Sequence, residues 1–182
     1  MLPFLIVAVF TAVHGPPKVS TLELPFGPVT RLPSPNGLYV LYGQSSQLWM
    51  ENTRDHKRKM LLEVNRNVRA GWSPDSAAFF VEDNASSDST RSFLYEVSSL
   101  QRLDIADHIL TADPSAQRFA EGHAYFRVER WEGTQHVLIN FNGHTDQFPV
   151  QCFTMRYRVS RSGTVRKLLQ RIRPVTAHGC EP

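Results

Sequence analysis

The stretch that decides the fold runs from residue 70 to residue 81 and reads Ala70-Gly71-Trp72-Ser73-Pro74-Asp75-Ser76-Ala77-Ala78-Phe79-Phe80-Val81. Its centre, Ser73 to Ser76, is typical of a tight turn, because proline fixes φ and aspartate bonds the nearby backbone. Apolar residues flank this turn on both sides. The stretch therefore predicts a strand, a turn and a second strand, and the apolar run from Ala77 to Val81 predicts an inner strand buried on both faces.

A second turn of the same kind lies earlier in the chain. It reads Ser34-Pro35-Asn36-Gly37 and leads into the apolar run from Leu38 to Tyr42, which predicts another inner strand. Ser34 and Ser73 lie 39 positions apart, near the period of roughly 40–45 residues of a four-stranded propeller blade. The spacing predicts two copies of one four-stranded unit.

The third part of the chain also has a β pattern, but it lacks the Ser-Pro turn. Two apolar runs flank a hairpin turn at Glu132-Gly133. Residues 152–159 alternate, which predicts that Phe153, Met155, Tyr157 and Val159 share one face of a strand. Residues 107–116 are compatible with a short helix that ends before Pro114 or with a connecting loop.

The quoted turns resemble a known repeat. Trp72-Ser73-Pro74-Asp75 is similar to the Trp-Ser-Pro-Asp-Gly element of WD40-like, TolB-type β-propeller repeats, and Ser34-Pro35-Asn36-Gly37 resembles a second copy. The resemblance implies that Trp72 packs between neighbouring sheets, and it implies protein–protein contact in the periplasm or outside the cell. The chain departs from the pattern because Ser76 replaces the glycine and Leu32-Pro33 stands where the first tryptophan would.

Together these patterns predict an all-β, antiparallel domain over residues 29–173, built as a propeller-like arc of about three blades. A β-sandwich or a curled sheet is the alternative. Propellers typically close with about four to eight blades, so three blades leave strand edges and apolar faces uncovered. An arc that dimerises and a truncated propeller fragment are two further possibilities.

The two ends of the chain differ from this domain. The apolar run in residues 1–15 is shorter than the roughly 20 residues of a membrane span and suits a signal peptide, which would be the chain's contact with a membrane if it stays uncleaved. The alternative is a buried first strand from Phe4 to Phe10. Residues 16–28 form a Pro-rich linker with one strand near Thr21–Leu24, and residues 174–182 form a tail. The predicted location is secreted or periplasmic.

Two cysteines, Cys152 and Cys180, make an even pair. Disulfides form and persist in oxidising compartments outside the cytosol. The predicted export therefore favours one bridge between them, which would also hold the C-terminal tail.

Basic residues gather on the C-terminal hairpin, although the net charge of +3 does not indicate nucleic-acid binding. The full set is Arg156, Arg158, Arg161, Arg166, Lys167, Arg171 and Arg173. Of these, Arg156, Arg158, Arg166 and Lys167 are the candidate anion-binding residues, for phospholipid headgroups or cell-surface polyanions. The interpretation we favour from the sequence is a charged outer face that protects an edge strand from aggregation.

Candidate metal ligands are His136, His144 and Asp146, which would approach one another across a hairpin. Their spacing matches no known zinc site, and His136 has the alternative of facing solvent. The sequence contains no Gly-x-Ser-x-Gly elbow and no Gly-rich phosphate loop, so neither a catalytic residue nor a cofactor is predicted.

The sequence thus favours an exported, non-enzymatic binding or scaffold module with a protein partner or with self-association. The alternatives are an exported hydrolase or metal-dependent enzyme that uses the two histidines, and a truncated propeller whose function lies in missing blades.

Overall fold

The computed structural model describes residues 21–24, 30–84, 86–175 and 179–180. The predicted signal peptide, most of the predicted linker and part of the tail lie outside the described residues. Within them, no helix is long and apolar enough to cross a membrane.

The described residues form an all-β protein with one α-helix and one 3₁₀ helix, which confirms the predicted fold class at this level. The elements are β1 (Leu22–Leu24), β2 (Arg31–Pro33), β3 (Tyr39–Gln44), β4 (Gln47–Asn52), β5 (Arg58–Glu63), β6 (Asn67–Trp72), β7 (Ala78–Asn84), β8 (Ser89–Glu96), β9 (Arg102–Asp104), α1 (Ile105–Ala112), the 3₁₀ helix (Pro114–Phe119), β10 (His123–Glu132), β11 (His136–His144), β12 (Gln151–Ser160) and β13 (Val165–Pro174).

Most strands pair with the next strand along the chain, in antiparallel fashion. They form three four-stranded units: the first unit is β2–β5, the second unit is β6–β9 and the third unit is β10–β13. The short strand β1 pairs with β6 at the edge of the second unit. The order of strands and turns predicted from the two Ser-Pro elements is therefore present.

The second and third units join through a short parallel pairing that the sequence did not predict. Ser89 and Thr90 of β8 pair with Ala124 and Tyr125 of β10, so these two units share one mixed sheet, whereas the first unit is a separate sheet. Further along β10, side-chain hydrogen bonds instead of backbone pairing connect the second and third units. Glu82 accepts a hydrogen bond from the Val128 N–H, and Arg69 donates both to the Val128 carbonyl and to Glu82.

Two apolar clusters hold the units face to face. One cluster lies between the first and second units and contains Trp72 and Phe79. The other lies between the second and third units, includes Phe80 and Tyr157, and is closed by α1 and the 3₁₀ helix. Strand β7 contributes to both, since Phe79 and Phe80 point to opposite sides and are at most 2% exposed. This confirms the prediction of an inner strand buried on both faces.

The two Ser-Pro turns have the same internal bonding. The Ser34 hydroxyl contacts Asn36 at 2.8 Å, and the Ser73 hydroxyl contacts Asp75 at 2.5 Å. The indole N–H of Trp72 donates a 2.9 Å hydrogen bond to the Leu32 carbonyl, so this side chain lies between the first two units. Trp72 thus packs as the repeat resemblance implies.

Residues 107–116, for which the sequence allows a helix or a loop, lie mainly in α1 and the 3₁₀ helix. Asp104 caps α1, because its carboxylate accepts hydrogen bonds from the backbone N–H groups of Ala106 and Asp107. The α-helix ends before Pro114, where the 3₁₀ helix begins. Ile105 and Ile109 are fully buried against the sheet, which closes the core of the third unit.

A disulfide joins Cys152 on β12 to Cys180, with 5.4 Å between the two Cα atoms. The predicted pairing is therefore present. It attaches residues 179–180 to the outward side of the third unit, next to the arginines of β13.

Candidate functional site

The third unit turns one face towards the core and the other face outward. The inward residues of its strands include Phe126, Ile139 and Met155, all in the cluster shared with the second unit. Side chains alternate along a strand, so their neighbours point outward. These outward residues are mainly polar, among them Asn140, Asn142 and Thr154, which differs from the apolar outer face expected of an open arc.

Arginine dominates this outward side, which we call the cationic face. Its arginines are Arg127, Arg130, Arg156, Arg158, Arg166, Arg171 and Arg173, and its carboxylates are Glu129 and Glu132. Seven arginines against two glutamates leave five excess positive charges among the described residues of this face, whereas the whole chain carries +3. The face is therefore where the positive potential of the protein is concentrated.

Three of the four predicted anion-binding residues meet on the cationic face. Arg158 lies directly opposite Arg166 in the pairing of β12 with β13, and Arg156 is two residues further along β12. Lys167 is the exception. It lies opposite the inward-facing Tyr157, and its ammonium contacts the Asp113 carboxylate at 2.5 Å. Since neighbours on a strand face opposite ways, Arg166 and Lys167 are separated by alternation alone.

Three of the arginines are partly neutralised by the glutamates, and one of them is Arg130, which contacts Glu132 at 3.1 Å. Arg156 contacts Glu129 at 2.9 Å, and Arg158 contacts Glu132 at 2.6 Å. The hydrogen bond from Arg158 holds the pKa of Glu132 below its usual value. Because these groups are partly exposed, each pair contributes only about 0–1 kcal/mol to stability. The pairs orient the guanidinium groups but leave the net charge of the face positive.

Other arginines of the face make no ion pair with another described residue. They are Arg127, Arg166, Arg171 and Arg173. The Arg127 guanidinium lies 5.2 Å from the centre of the Tyr125 ring, and Arg173 donates a 2.6 Å hydrogen bond to the Cys180 carbonyl. Their charges are available to an anionic ligand.

A small cavity lies on the cationic face beside the disulfide, and we call it the arginine cavity. Its volume is about 230 Å³, and its lining residues are Cys152, Phe153, Thr154, Arg156, Leu169, Arg171 and Arg173. In the sequence, Arg171 and Arg173 are distinguished only as members of a basic hairpin. The pairing of β12 with β13 and the return of the tail to Cys152 bring these two arginines to the cavity. The sequence pattern could indicate the pairing of the two strands, but it does not indicate the return of the tail.

The predicted metal ligands do not converge. His136 and His144 are the first and last residues of β11, which at about 3.4 Å per residue places them roughly 27 Å apart. His144 instead has its Nδ1 atom 3.6 Å from Asp146 and its ring 4.1 Å from the ring of His123, which the sequence did not select. Among the described residues, no three His, Cys, Asp or Glu side chains form a group that could hold a metal ion.

A larger cavity, of about 690 Å³, lies away from the cationic face, between the β3–β4 turn and the link from β5 to β6. Most of its lining residues are polar and uncharged, such as Thr30, Ser45 and Asn65. Arg66 is its one titratable lining residue among those described, so it offers no cluster of charged groups.

Comparisons with known proteins give a limited result. No protein-family model matches the chain, and no curated protein matches it by sequence. Two similar solved structures are a protein described as TolB from Agrobacterium tumefaciens (16% identity, TM-score 0.41) and TolB from Acinetobacter baumannii (10% identity, TM-score 0.38). The matches cover 77% and 82% of this chain, but only 45% and 32% of those proteins.

The chain thus spans less than half the length of either similar protein. Both proteins are named TolB. The Trp72-Ser73-Pro74-Asp75 element was compared above with TolB-type repeats. With TM-scores below 0.5, this similarity shows neither the family nor the function of the chain.

Proposed function

We propose that the protein is an exported, non-enzymatic binding module, built from propeller-like β units, whose cationic face contacts an acidic surface of a protein partner. The observation that supports this most directly is the cationic face itself. It carries more positive charge than the whole chain, and the apolar clusters that hold the three units together lie elsewhere.

The chemistry of the cationic face suits protein recognition. Arginine is enriched at protein interfaces, and complementary charge speeds association and fixes the orientation of the two partners. Four strands of about ten residues cover roughly 30 by 19 Å, or about 600 Å². This approaches the roughly 800 Å² that each partner contributes to an interface of standard size.

The disulfide supports the proposed export. Bridges of this kind persist in secreted and periplasmic proteins and are rare in the reducing cytosol. The bridge between Cys152 and Cys180 also borders the cationic face. The disulfide that supports export therefore lies next to the proposed binding surface. The alternative of a metal-dependent enzyme is less well supported, since two of its predicted ligands, His136 and His144, lie at opposite ends of one strand.

Charge reversal tests the proposed function. The oxidised protein is immobilised and used to recover partners from envelope and extracellular fractions, and bound proteins are crosslinked and mapped by mass spectrometry. The test variant is Arg158→Glu/Arg166→Glu. The matched control is Arg54→Glu/Lys59→Glu, which makes the same change of charge at two exposed positions of the first unit.

We expect an acidic partner that the wild type and the control recover, that crosslinks to β10–β13, and that the test variant loses. Binding should also weaken as the salt concentration rises, because exposed charges are screened. Recovery of the same proteins by both variants, or crosslinks that map outside the third unit, would contradict the proposal.

A further inference from the structure

We propose that the arginine cavity is a subsite for a phosphate monoester group. The inference deepens the proposed function, on which it rests for the presence of a ligand on the cationic face, and it names the chemical group that the face takes. The cavity, the charge around it and the anchoring of one arginine by the disulfide support it separately.

The register of β12 with β13 brings the side chains together. Thr154 lies directly opposite Arg171. Because the two strands are antiparallel, Arg156, two residues after Thr154, and Arg173, two residues after Arg171, flank this pair on opposite sides along the strands. Paired strands lie about 4.8 Å apart and alternate residues about 7 Å apart. Three guanidinium groups and a hydroxyl therefore surround one concavity of about 230 Å³.

The charge at the cavity suits a dianion. Arg156, Arg171 and Arg173 contribute three positive charges, and Glu129, which contacts Arg156 at 2.9 Å, contributes one negative charge. The remaining excess of two matches the charge of about −1.5 to −2 that a phosphate monoester carries at pH 7. A carboxylate would neutralise only half of this excess.

The number of donors also favours phosphate. Each guanidinium presents a planar fork of N–H donors that matches phosphate oxygens two at a time. Arg171 makes no ion pair with another described residue, and Arg156 uses Nε for Glu129, so its terminal nitrogens remain. The three free oxygens of a phosphate monoester accept more of these donors than the two oxygens of a carboxylate.

The disulfide places the third arginine. Cys180 is bonded to Cys152, which lines the cavity, and the Cys180 carbonyl accepts a 2.6 Å hydrogen bond from Arg173. This contact fixes a long, flexible side chain at the cavity before any ligand arrives. Ordering a side chain in advance lowers the entropy cost of binding.

The test is a titration of oxidised protein with methyl phosphate at pH 7.5, with methyl sulfate and acetate as monoanions at equal ionic strength. We expect methyl phosphate to bind at least ten-fold more tightly than either monoanion. Arg171→Gln should weaken methyl phosphate binding at least ten-fold. The matched control Arg54→Gln, the same change at an exposed position of the first unit, should stay within two-fold of wild type.

A second titration identifies the source of the phosphate group. Vesicles of phosphatidylcholine with phosphatidic acid present a phosphate monoester on a lipid, whereas methyl phosphate represents a soluble carrier. Vesicle binding that Arg171→Gln abolishes supports the subsite with a lipid as its source, and binding of methyl phosphate without vesicle binding supports it with a soluble source.

Three results would overturn the subsite: no saturable binding of either probe, equal binding by Arg171→Gln and wild type, or acetate binding as tightly as methyl phosphate. These failures are separate from that of the proposed function. If methyl phosphate binds but charge reversal changes no partner, the proposed function fails and the subsite stands. A partner that depends on Arg158 and Arg166, with no phosphate binding, refutes the subsite alone.

Discussion

The backbone N–H of Asn36 donates a 2.9 Å hydrogen bond to the hydroxyl of Ser76, so the turn of the first unit is bonded to the turn of the second. Ser76 has φ of +62° and Gly37, 39 positions earlier, has φ of +70°. The two residues therefore hold the same left-handed position in matching turns. Serine at this position accepts strain that glycine would avoid, and its hydroxyl links two units that belong to separate sheets.

Substitution at position 76 separates the two effects. Ser76→Ala removes the hydroxyl and keeps a side chain at positive φ, so we expect the free energy of unfolding to fall by about 1–2 kcal/mol. Ser76→Gly loses the same bond but relieves the backbone by about 1 kcal/mol, and should stay close to wild type. Urea denaturation measures both. Equal stability of wild type and Ser76→Ala would show that the bond contributes nothing.

An ion pair within the second unit, Arg69 with the buried Glu82, contacts the Val128 backbone of the third unit, and its disruption should be costly. Glu82 is 3% exposed, and its carboxylate is held by Arg69 and by the Val128 N–H. Arg69→Met leaves this carboxylate buried without a counter-charge, so we expect a loss of about 3–5 kcal/mol. The double variant Arg69→Met/Glu82→Leu should lose less than the single variant, because no charge remains buried.

The matched control is Lys57→Met, which removes the partner of Asp55 from a solvent-exposed pair. It should leave the free energy of unfolding close to that of the wild type, because solvent screens an exposed ion pair. Chemical denaturation of the three variants and of Glu82→Leu completes a double-mutant cycle. A loss for Arg69→Met no larger than that for Lys57→Met would contradict the role of the pair.

Local patterns predict the strands well but not their long-range neighbours. The alternation of residues 152–159 and the apolar run before Val81 report burial directly, because side-chain direction on a strand has a period of two. The parallel pairing of Ser89 and Thr90 with Ala124 and Tyr125 has no such signal, since it joins distant segments over two residues only. A sequence pattern reports the face of a strand, whereas contacts between units depend on how the sheets stack.

The same distinction explains the outcome for the candidate sites. The predicted metal group required His136 and His144 to approach each other across a hairpin, but both belong to one continuous strand, β11, which keeps them apart. The arginine cavity requires the tail to return to Cys152, which no periodicity encodes. Arg156 and Arg158 could be placed on one face because they are two residues apart on a strand with clear alternation.

Acid should weaken the protein partly through Asp113. Partial burial raises the pKa of this carboxyl, but hydrogen bonds from Lys167, Ser115 and Tyr157 outweigh it, so the pKa lies below its usual value. The unfolded chain then binds a proton first as the pH falls, near the ordinary Asp pKa of about 3.9. The stabilising contribution is complete above that region and is lost as the pH falls through the lower folded-state pKa.

Asp113→Asn removes this titration but retains the size of the side chain. Urea denaturation between pH 7 and pH 3 should show that the variant is less stable than wild type at pH 7 and that the difference shrinks below about pH 4. Asp107→Asn is a suitable control, since the Asp107 side chain is 72% exposed and its one ion pair with a described residue is a 3.9 Å contact with Arg91. A constant difference between Asp113→Asn and wild type over the whole range would contradict the role assigned to Asp113.

Reduction of the disulfide should affect both stability and the arginine cavity. The cysteines are 28 positions apart, and in the chain-entropy model a loop of that length contributes about 3–4 kcal/mol to the free energy of unfolding. Without the bridge, the Cys180 carbonyl is no longer held beside Arg173, so methyl phosphate binding should also weaken. Oxidised protein, reduced protein and Cys152→Ala/Cys180→Ala are compared by urea denaturation and by titration. If reduction lowers stability but leaves phosphate binding unchanged, the bridge stabilises the fold without placing Arg173.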